Sequence, residues 1–109
     1  MSDLAELQKR MVEFRDARNW AQFHNAKDLA VCLSIEAAEL LELFLWKQPK
    51  EASKERVSEE LADVLGALLL IAKEYDIDLF QAMIDKIAKN EVKYPVEKSR
   101  GSNKKYSEL

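Results

Sequence analysis

The chain has 109 residues, of which 48% are hydrophobic and 34% charged, enough for one domain with a hydrophobic core. Two glycines and two prolines are too few for the turns of a many-stranded sheet, so the composition predicts an all-α fold. The formal net charge of −3 provides no general attraction for a nucleic acid polymer, so we expect none as a partner.

The sequence also contains evidence on where in the cell the protein is found. No uncharged stretch reaches the roughly 18 to 20 residues that a membrane-spanning helix needs, and the N-terminus lacks an apolar run of the signal-peptide kind. The single cysteine, Cys32, cannot form an intramolecular disulfide, which suits a reducing compartment, and its apolar neighbours predict a small core residue. We therefore expect a cytoplasmic protein with no membrane partner.

Apolar spacing and capping residues predict four helices. They run from Ser2 or Asp3 to about Arg18, from about Ala26 to Lys47, from about Ser53 to about Tyr75, and from Asp78 to about Val92. Asn25 is a suitable N-cap for the second helix, and Asp78 with Gln81 forms a capping-box pattern. We expect a helical domain over residues 1–95, resembling a four-helix bundle, and a basic polar tail over residues 96–109 that is ordered only when something binds it.

The connection between the first two helices, from Trp20 to His24, holds two aromatic residues and the only histidine. Ligand contacts often collect in loops that rigid helices hold in place. Aromatic side chains that close one end of a helical bundle would leave the same pattern. The spacing alone does not separate these interpretations.

Acidic residues interrupt the apolar stripes of the second and third helices. Glu36 lies in the middle of one stripe with Glu39 at its margin, and Glu60 lies at the centre of the other with Asp63 beside it. If the helices pack through these stripes, four carboxylates meet inside an apolar interface. A buried unpaired carboxylate costs several kcal/mol, against a domain stability of about 5 to 15 kcal/mol. We therefore expect a bound cation or proton uptake.

Neither helix supplies that cation locally, since the second has no Lys or Arg between Lys27 and Lys47 and the third none between Arg56 and Lys73. Lysines of the fourth helix would make the cluster a buried ionic network, the candidates being Lys86, Lys89 and Lys93. The other source is a divalent metal, and ligands that are all carboxylates favour Mg²⁺, with Mn²⁺ as a second candidate. Because Mg²⁺ is often shared with substrate phosphates, an open site of this kind indicates phosphoanhydride chemistry.

The spacing Glu-x-x-Glu followed by Glu-x-x-Asp resembles the signature of the MazG-like all-α nucleoside triphosphate pyrophosphohydrolases. The similarity is closest to the branch that hydrolyses dCTP, and it covers nearly the whole chain. The matching segments are RNWAQFH, EAAELLELFLWK, EELADVL, DLFQAMIDKIAKNEVKYP and SRGSNKKYSEL.

The resemblance implies roles for individual residues. The Mg²⁺ ligands, which would also orient or deprotonate the attacking water, are Glu36, Glu39, Glu60 and Asp63. The residues that enclose the nucleoside are Trp20, Gln22, Phe23, His24 and Trp46. The phosphate-binding residues are Lys86, Asn90 and Lys93, with Arg100 and Lys105 as secondary candidates. Lys93 replaces an arginine, which keeps the charge but loses bidentate contact.

Two positions depart from the dCTP-hydrolysing branch. Val12 and Ala67 align with a histidine and a tyrosine, so a smaller and less polar pocket wall is expected to relax or change the base preference.

The expected reaction is Mg²⁺-dependent hydrolysis of a (deoxy)nucleoside triphosphate to the monophosphate and pyrophosphate. The expected substrate is dCTP or a modified dCTP, and the expected role is to remove unwanted nucleotides from the nucleotide pool.

The apolar residues Leu41, Phe44 and Leu45 lie away from the acidic stripe and predict self-association. The resemblance implies a homodimer or a dimer-of-dimers tetramer. Two other hypotheses are a non-catalytic helical oligomer that binds nucleotide or metal, and a related hydrolase with different products.

Overall fold

The computed structural model describes residues 2–109, and every regular element in that range is helical. The α-helices are α1 (Asp3–Ala17), α2 (Ala26–Glu42), α3 (Lys54–Glu74), α4 (Leu79–Lys93) and α5 (Val96–Ser99). Single 3₁₀ turns occur at Ala21–Phe23, Pro49–Glu51 and Tyr106–Glu108. The predicted all-α class is confirmed.

The four long helices begin at side-chain caps. In each case an oxygen of the N-cap side chain accepts a hydrogen bond from the backbone N–H three residues further on, which satisfies a group that the helix leaves unpaired. The caps are Ser2, at 3.1 Å from the nitrogen of Ala5; Asn25, at 2.8 Å from that of Asp28; Ser53, at 3.4 Å from that of Arg56; and Asp78, at 3.1 Å from that of Gln81. These starts agree with the sequence prediction.

The end of α2 differs from the prediction. The helix stops at Glu42 rather than at Lys47, because the following backbone N–H groups bond to the carbonyl three residues back instead of four. Trp46 then adopts a φ of 62°, a left-handed conformation that is unusual for a bulky side chain. The apolar spacing continues to Trp46, which is why the sequence pattern overestimated the length of the helix.

Residues 2–77 form one compact unit in which α3 packs against both α1 and α2. The buried apolar residues of this unit are Leu29, Leu43, Ala67, Leu69, Leu70 and Ala72. At Gly66 α3 lies against α1, and a Cβ there would be in ordinary contact with the side chain of Met11, 3.4 Å from its Cε atom. Gln8 strengthens the same contact by donating a 3.0 Å hydrogen bond from Nε2 to the carbonyl of Leu69.

Arg15 is the buried charged residue of this unit and was not singled out from the sequence. Its guanidinium group lies 3.1 Å from a carboxylate oxygen of Asp16 and 3.5 Å from one of Glu74. A buried cation needs such partners because desolvation otherwise outweighs its attraction to a carboxylate. Arg15 therefore has a structural role at the ends of α1 and α3.

Residues 78–109 form a second compact unit. Instead of an unstructured tail, the chain after α4 makes the short helix α5, turns at Gly101 with a φ of 74°, and ends in the 3₁₀ turn Tyr106–Glu108. The left-handed conformation at Gly101 favours glycine because glycine has no Cβ. The domain boundary expected at residue 95 is a different division and stays a prediction. No helix within residues 2–109 is both long and apolar enough to cross a membrane.

Candidate metal centre and nucleotide pocket

Packing of α2 against α3 brings acids from both helices together. Glu36, Glu60 and Asp63 each place one carboxylate oxygen within 4.8 Å of the others. One cleft is lined by Leu29 of α2 and Leu70 of α3, so the start of α2 lies beside the later turns of α3. The two helices are therefore antiparallel neighbours, as the short connection between them predicts.

Glu39 lies outside this group of three but close enough to act on it electrostatically. Burial, the adjacent Glu39 carboxyl group and the charges of Asp63 and Glu60 together raise the pKa of Glu36 to about 7, with burial as the largest cause. Burial also raises the pKa of Glu60, with contributions from Glu39 and Asp63 that the guanidinium group of Arg56 partly opposes. The four acids thus form one acidic cluster, in which burial and like charges disfavour the ionised forms of Glu36 and Glu60.

Two oxygens of the cluster lack any partner. The Oε2 atoms of Glu36 and Glu60 are buried, and neither accepts a hydrogen bond from residues 2–109. The ion pairs described in that range lie elsewhere, at the exposed face of α1 and around Arg15. Unpaired buried carboxylate oxygens, with no nitrogen or sulfur ligand among them, fit a hard divalent cation such as Mg²⁺.

A cleft of about 230 Å³ adjoins the acids, and Glu36 and Asp63 belong to its lining. The remaining lining residues are mostly apolar or small: Met11, His24, Leu29, Cys32, Ala62, Gly66, Ala67 and Leu70. The cleft therefore has one acidic end and one apolar wall. This combination suits a ligand that carries both a charged group and a flat apolar-faced group.

The apolar wall differs in one position from the sequence expectation. Ala67 lines the cleft as expected, but Val12 does not. Val12 lines a separate cleft with Gln8 and Lys73. Met11, one residue earlier, takes the place assigned to Val12. A step of one residue turns a helix by about 100°, so Met11 and Val12 point to different faces of α1.

Cys32 was expected to be a core residue, and this was wrong. Its side chain is exposed and lines the cleft. At this turn the apolar stripe of α2 borders the open cleft and is not covered by packed side chains. The apolar spacing therefore predicted the face of the helix on which Cys32 lies, but not that this face is exposed.

The aromatic connection between α1 and α2 lies partly at this cleft. Of its residues, His24 lines the cleft, and its Nδ1 atom is buried without a hydrogen-bond partner in residues 2–109. Trp20 packs edge-on against Phe14 with ring centroids 5.8 Å apart. Phe23 is 63% exposed, and Gln22 donates a 3.0 Å hydrogen bond from Nε2 to the carbonyl of Asn19. The structure thus brings one of the predicted nucleoside-binding residues of this connection, His24, into the cleft lining.

Trp46 is 99% exposed and does not line the cleft. The exposed indole ring gains almost nothing from burial, and its left-handed backbone conformation is unfavourable for a bulky residue. A large apolar ring in such a position has most to gain from a ligand or a second chain that covers it.

The three predicted phosphate-binding residues all lie on α4. Lys86, Asn90 and Lys93 are separated by four and three residues, so they share one face of that helix. The Nζ atom of Lys93 lies 5.0 Å from the ring centroid of Tyr106, a contact not predicted from the sequence. The role of these residues stays a prediction.

Three comparisons with known proteins agree with this geometry. Residues 31–109 match the MazG-like family. The chain is 41% identical over 114 residues to dCTP pyrophosphatase 1 of Mus musculus, covering 97% of this chain and 67% of that protein. It is 37% identical to dCTP pyrophosphatase 1 of Homo sapiens, with the same shares covered.

A solved structure is also similar. The crystal structure of a pyrophosphatase from Archaeoglobus fulgidus aligns with a TM-score of 0.80 and 42% sequence identity, covering 87% of this chain and 94% of that one. The all-α fold, the acidic cluster and these relatives define an enzyme of the nucleoside triphosphate pyrophosphohydrolase class. The chain belongs to the MazG-like family.

Proposed function

We propose that this enzyme uses Mg²⁺ to hydrolyse a deoxynucleoside triphosphate, with dCTP or a modified dCTP as preferred substrate. The observation that carries the proposal is the group of three carboxylates within 4.8 Å at the end of an apolar cleft. Relatives that cover most of the chain and are named dCTP pyrophosphatase 1 support the choice of base. Water attacks the α-phosphorus, the bond to the bridging oxygen breaks, and the products are the monophosphate, pyrophosphate and one proton.

The metal would be held by Glu36, Glu60 and Asp63, with Glu39 as a fourth ligand or as a carboxylate outside the coordination shell. A Mg²⁺ ion held there would offset part of the negative charge of the cluster, screen the substrate phosphates and polarise the attacked phosphoryl group. A carboxylate of the cluster then accepts the proton that the attacking water loses.

The base would occupy the apolar part of the cleft. His24 lines it and has a ring nitrogen free to bond a base or sugar group, and Ala67 and Met11 form its wall. Trp20, Gln22 and Phe23 would enclose the nucleoside from the neighbouring connection, and Trp46 would cover it with its exposed indole. Lys86, Asn90 and Lys93 would bind phosphate oxygens, as the family resemblance implies.

We also propose that the chain self-associates as a homodimer or as a dimer-of-dimers tetramer. Leu41 is 60% exposed and Leu45 is 46% exposed, next to the exposed Trp46. Such apolar surface at one end of α2 is of the kind that interfaces cover. Light scattering at micromolar concentration should show a species larger than one chain, and a monomer would contradict this part of the proposal.

A nucleotide panel tests the reaction. We expect pyrophosphate release from dCTP in the presence of Mg²⁺, its loss with a chelator, and loss of at least 100-fold in activity in the variant Glu60→Gln. Glu42→Gln is the matched control, since Glu42 is an exposed acid on α2 outside the cluster. If no triphosphate releases pyrophosphate with Mg²⁺ or Mn²⁺, the catalytic proposal is wrong and a metal- or nucleotide-binding oligomer becomes the better hypothesis. Release of inorganic phosphate instead would indicate a diphosphate-forming hydrolase.

A further inference from the structure

The C-terminal segment, residues 100–109, folds back onto the end of α4. After α5 the chain turns at Gly101, where the backbone N–H of Ser102 bonds to the carbonyl of Ser99 at 3.0 Å. The 3₁₀ turn Tyr106–Glu108 then closes with a 2.8 Å bond from the N–H of Glu108 to the carbonyl of Lys105. With this backbone path, Tyr106 lies next to Lys93, which is thirteen residues earlier in the chain.

The ring of Tyr106 contacts two consecutive residues at the end of α4. Its centroid lies 5.0 Å from Nζ of Lys93, within the range of a cation–π interaction. It also lies 6.2 Å from the ring centroid of Tyr94, at an interplanar angle of 86°, which is an edge-to-face pair. Tyr94 therefore orients the ring of Tyr106, and that ring faces the ammonium group of Lys93.

The contact leaves Lys93 able to bind an anion. Among residues 2–109 Lys93 forms no ion pair with a carboxylate, and the ammonium group has a cation–π contact with Tyr106 instead. A lysine ammonium group has three N–H donors, and a ring face on one side leaves the others directed away from it. A long lysine side chain loses rotamer entropy when it binds a ligand, and prior restriction by the ring reduces that cost.

We propose that Tyr106 is a positioning residue that holds the Lys93 ammonium group ready for a substrate phosphate. The inference rests on the proposed phosphate-binding role of Lys93, and it assigns to the C-terminal segment a part in substrate binding. The segment acts through Lys93. Because Lys93 would contact phosphate in both the ground state and the transition state, its disorder weakens binding more than it slows chemistry.

Steady-state kinetics on the full chain tests the inference. In Tyr106→Leu we expect KM for dCTP and the inhibition constant for pyrophosphate to rise about two- to fivefold, in line with an exposed cation–π contact, with kcat changed less than twofold. Tyr106→Phe keeps the ring face and should retain wild-type constants. In a Lys93→Met background, Tyr106→Leu should have no further effect on either constant, because the ammonium group that the ring positions is already gone.

A second measurement needs no turnover. By NMR, the ε-methylene protons of Lys93 should show an upfield ring-current shift in the wild type, and Tyr106→Leu should remove it. Unshifted protons in the wild type, equal KM values in Tyr106→Leu and wild type, or an undiminished effect of Tyr106→Leu in the Lys93→Met background would each overturn the inference. Absence of hydrolysis in the wild type counts instead against the proposed function, so the two failures are distinguishable.

Discussion

Replacing Glu36 with glutamine should stabilise the metal-free protein above neutral pH while abolishing its activity. Glutamine has nearly the same shape as glutamate but carries no charge, so it removes repulsion from the cluster without opening a cavity. Burial and the neighbouring acids raise the pKa of Glu36 from 4.5 to about 7. Each tenfold change in proton affinity corresponds to about 1.4 kcal/mol, so ionising this group in the folded protein costs up to about 3 kcal/mol.

The sign of the effect follows from proton linkage. Between pH 4.5 and about 7 the folded protein holds a proton on Glu36 that the unfolded chain releases, so the free energy of unfolding falls as pH rises through this window. Solvent screening at this partly exposed group lowers the full value, and we expect Glu36→Gln to gain about 1 to 2 kcal/mol at pH 8. At pH 4.5 and below, the gain should be close to zero.

Thermal unfolding with EDTA, at pH 4.5 and pH 8, measures the prediction. A gain of 1 kcal/mol corresponds to a rise in Tm of about 4 °C for a domain near this size. Glu42→Gln, an exposed acid on the same helix, should show no such dependence on pH. If Glu36→Gln is no more stable than the wild type at pH 8, or is equally stabilised at both pH values, then ionised Glu36 does not destabilise the folded protein.

Three further predictions address the metal, the pocket and the exposed indole. Calorimetry should show Mg²⁺ binding to the wild type that Glu60→Gln weakens at least tenfold; unchanged binding would place the metal elsewhere. Ala67→Tyr should fill the apolar wall of the cleft and change the ratio of kcat/KM between dCTP and other deoxynucleotides at least fivefold, and an unaltered ratio would mean that the base lies outside this cleft. Trp46→Ala should leave the free energy of unfolding of the single chain within about 0.5 kcal/mol, because the side chain is 99% exposed, while raising KM for dCTP; an unchanged KM would exclude contact with the base.

Some features of the fold follow from local rules and were predicted correctly. Helix starts depend on a cap and the residue three positions later, so Asn25 and Asp78 identified them without any tertiary information. The 100° rotation per residue placed Glu36 and Glu60 on core-facing stripes, and the structure brings both to the α2–α3 interface. Acids on an apolar stripe are detectable from sequence because they break a pattern.

Other features depend on which side chains contact each other in the folded chain, and the spacing of residues in the sequence does not predict those contacts. Residues on one helix face differ in exposure according to the neighbouring element, so Cys32 was assigned to the core although it lines an open cleft. The early end of α2 and the left-handed Trp46 are backbone choices that apolar spacing does not record. The contact of Tyr106 with Lys93 joins residues thirteen positions apart through a turn.

The sequence by itself determined the all-α class, the four helix starts and the pairing of acids three residues apart on two helices, because each depends on interactions within one turn of helix. The tertiary structure decided that Glu36, Glu60 and Asp63 converge within 4.8 Å, that two of their oxygens are left without partners, and that Met11 rather than Val12 borders the cleft. Those facts depend on the rotation of one helix against another, which is determined by the packing of α1, α2 and α3 together.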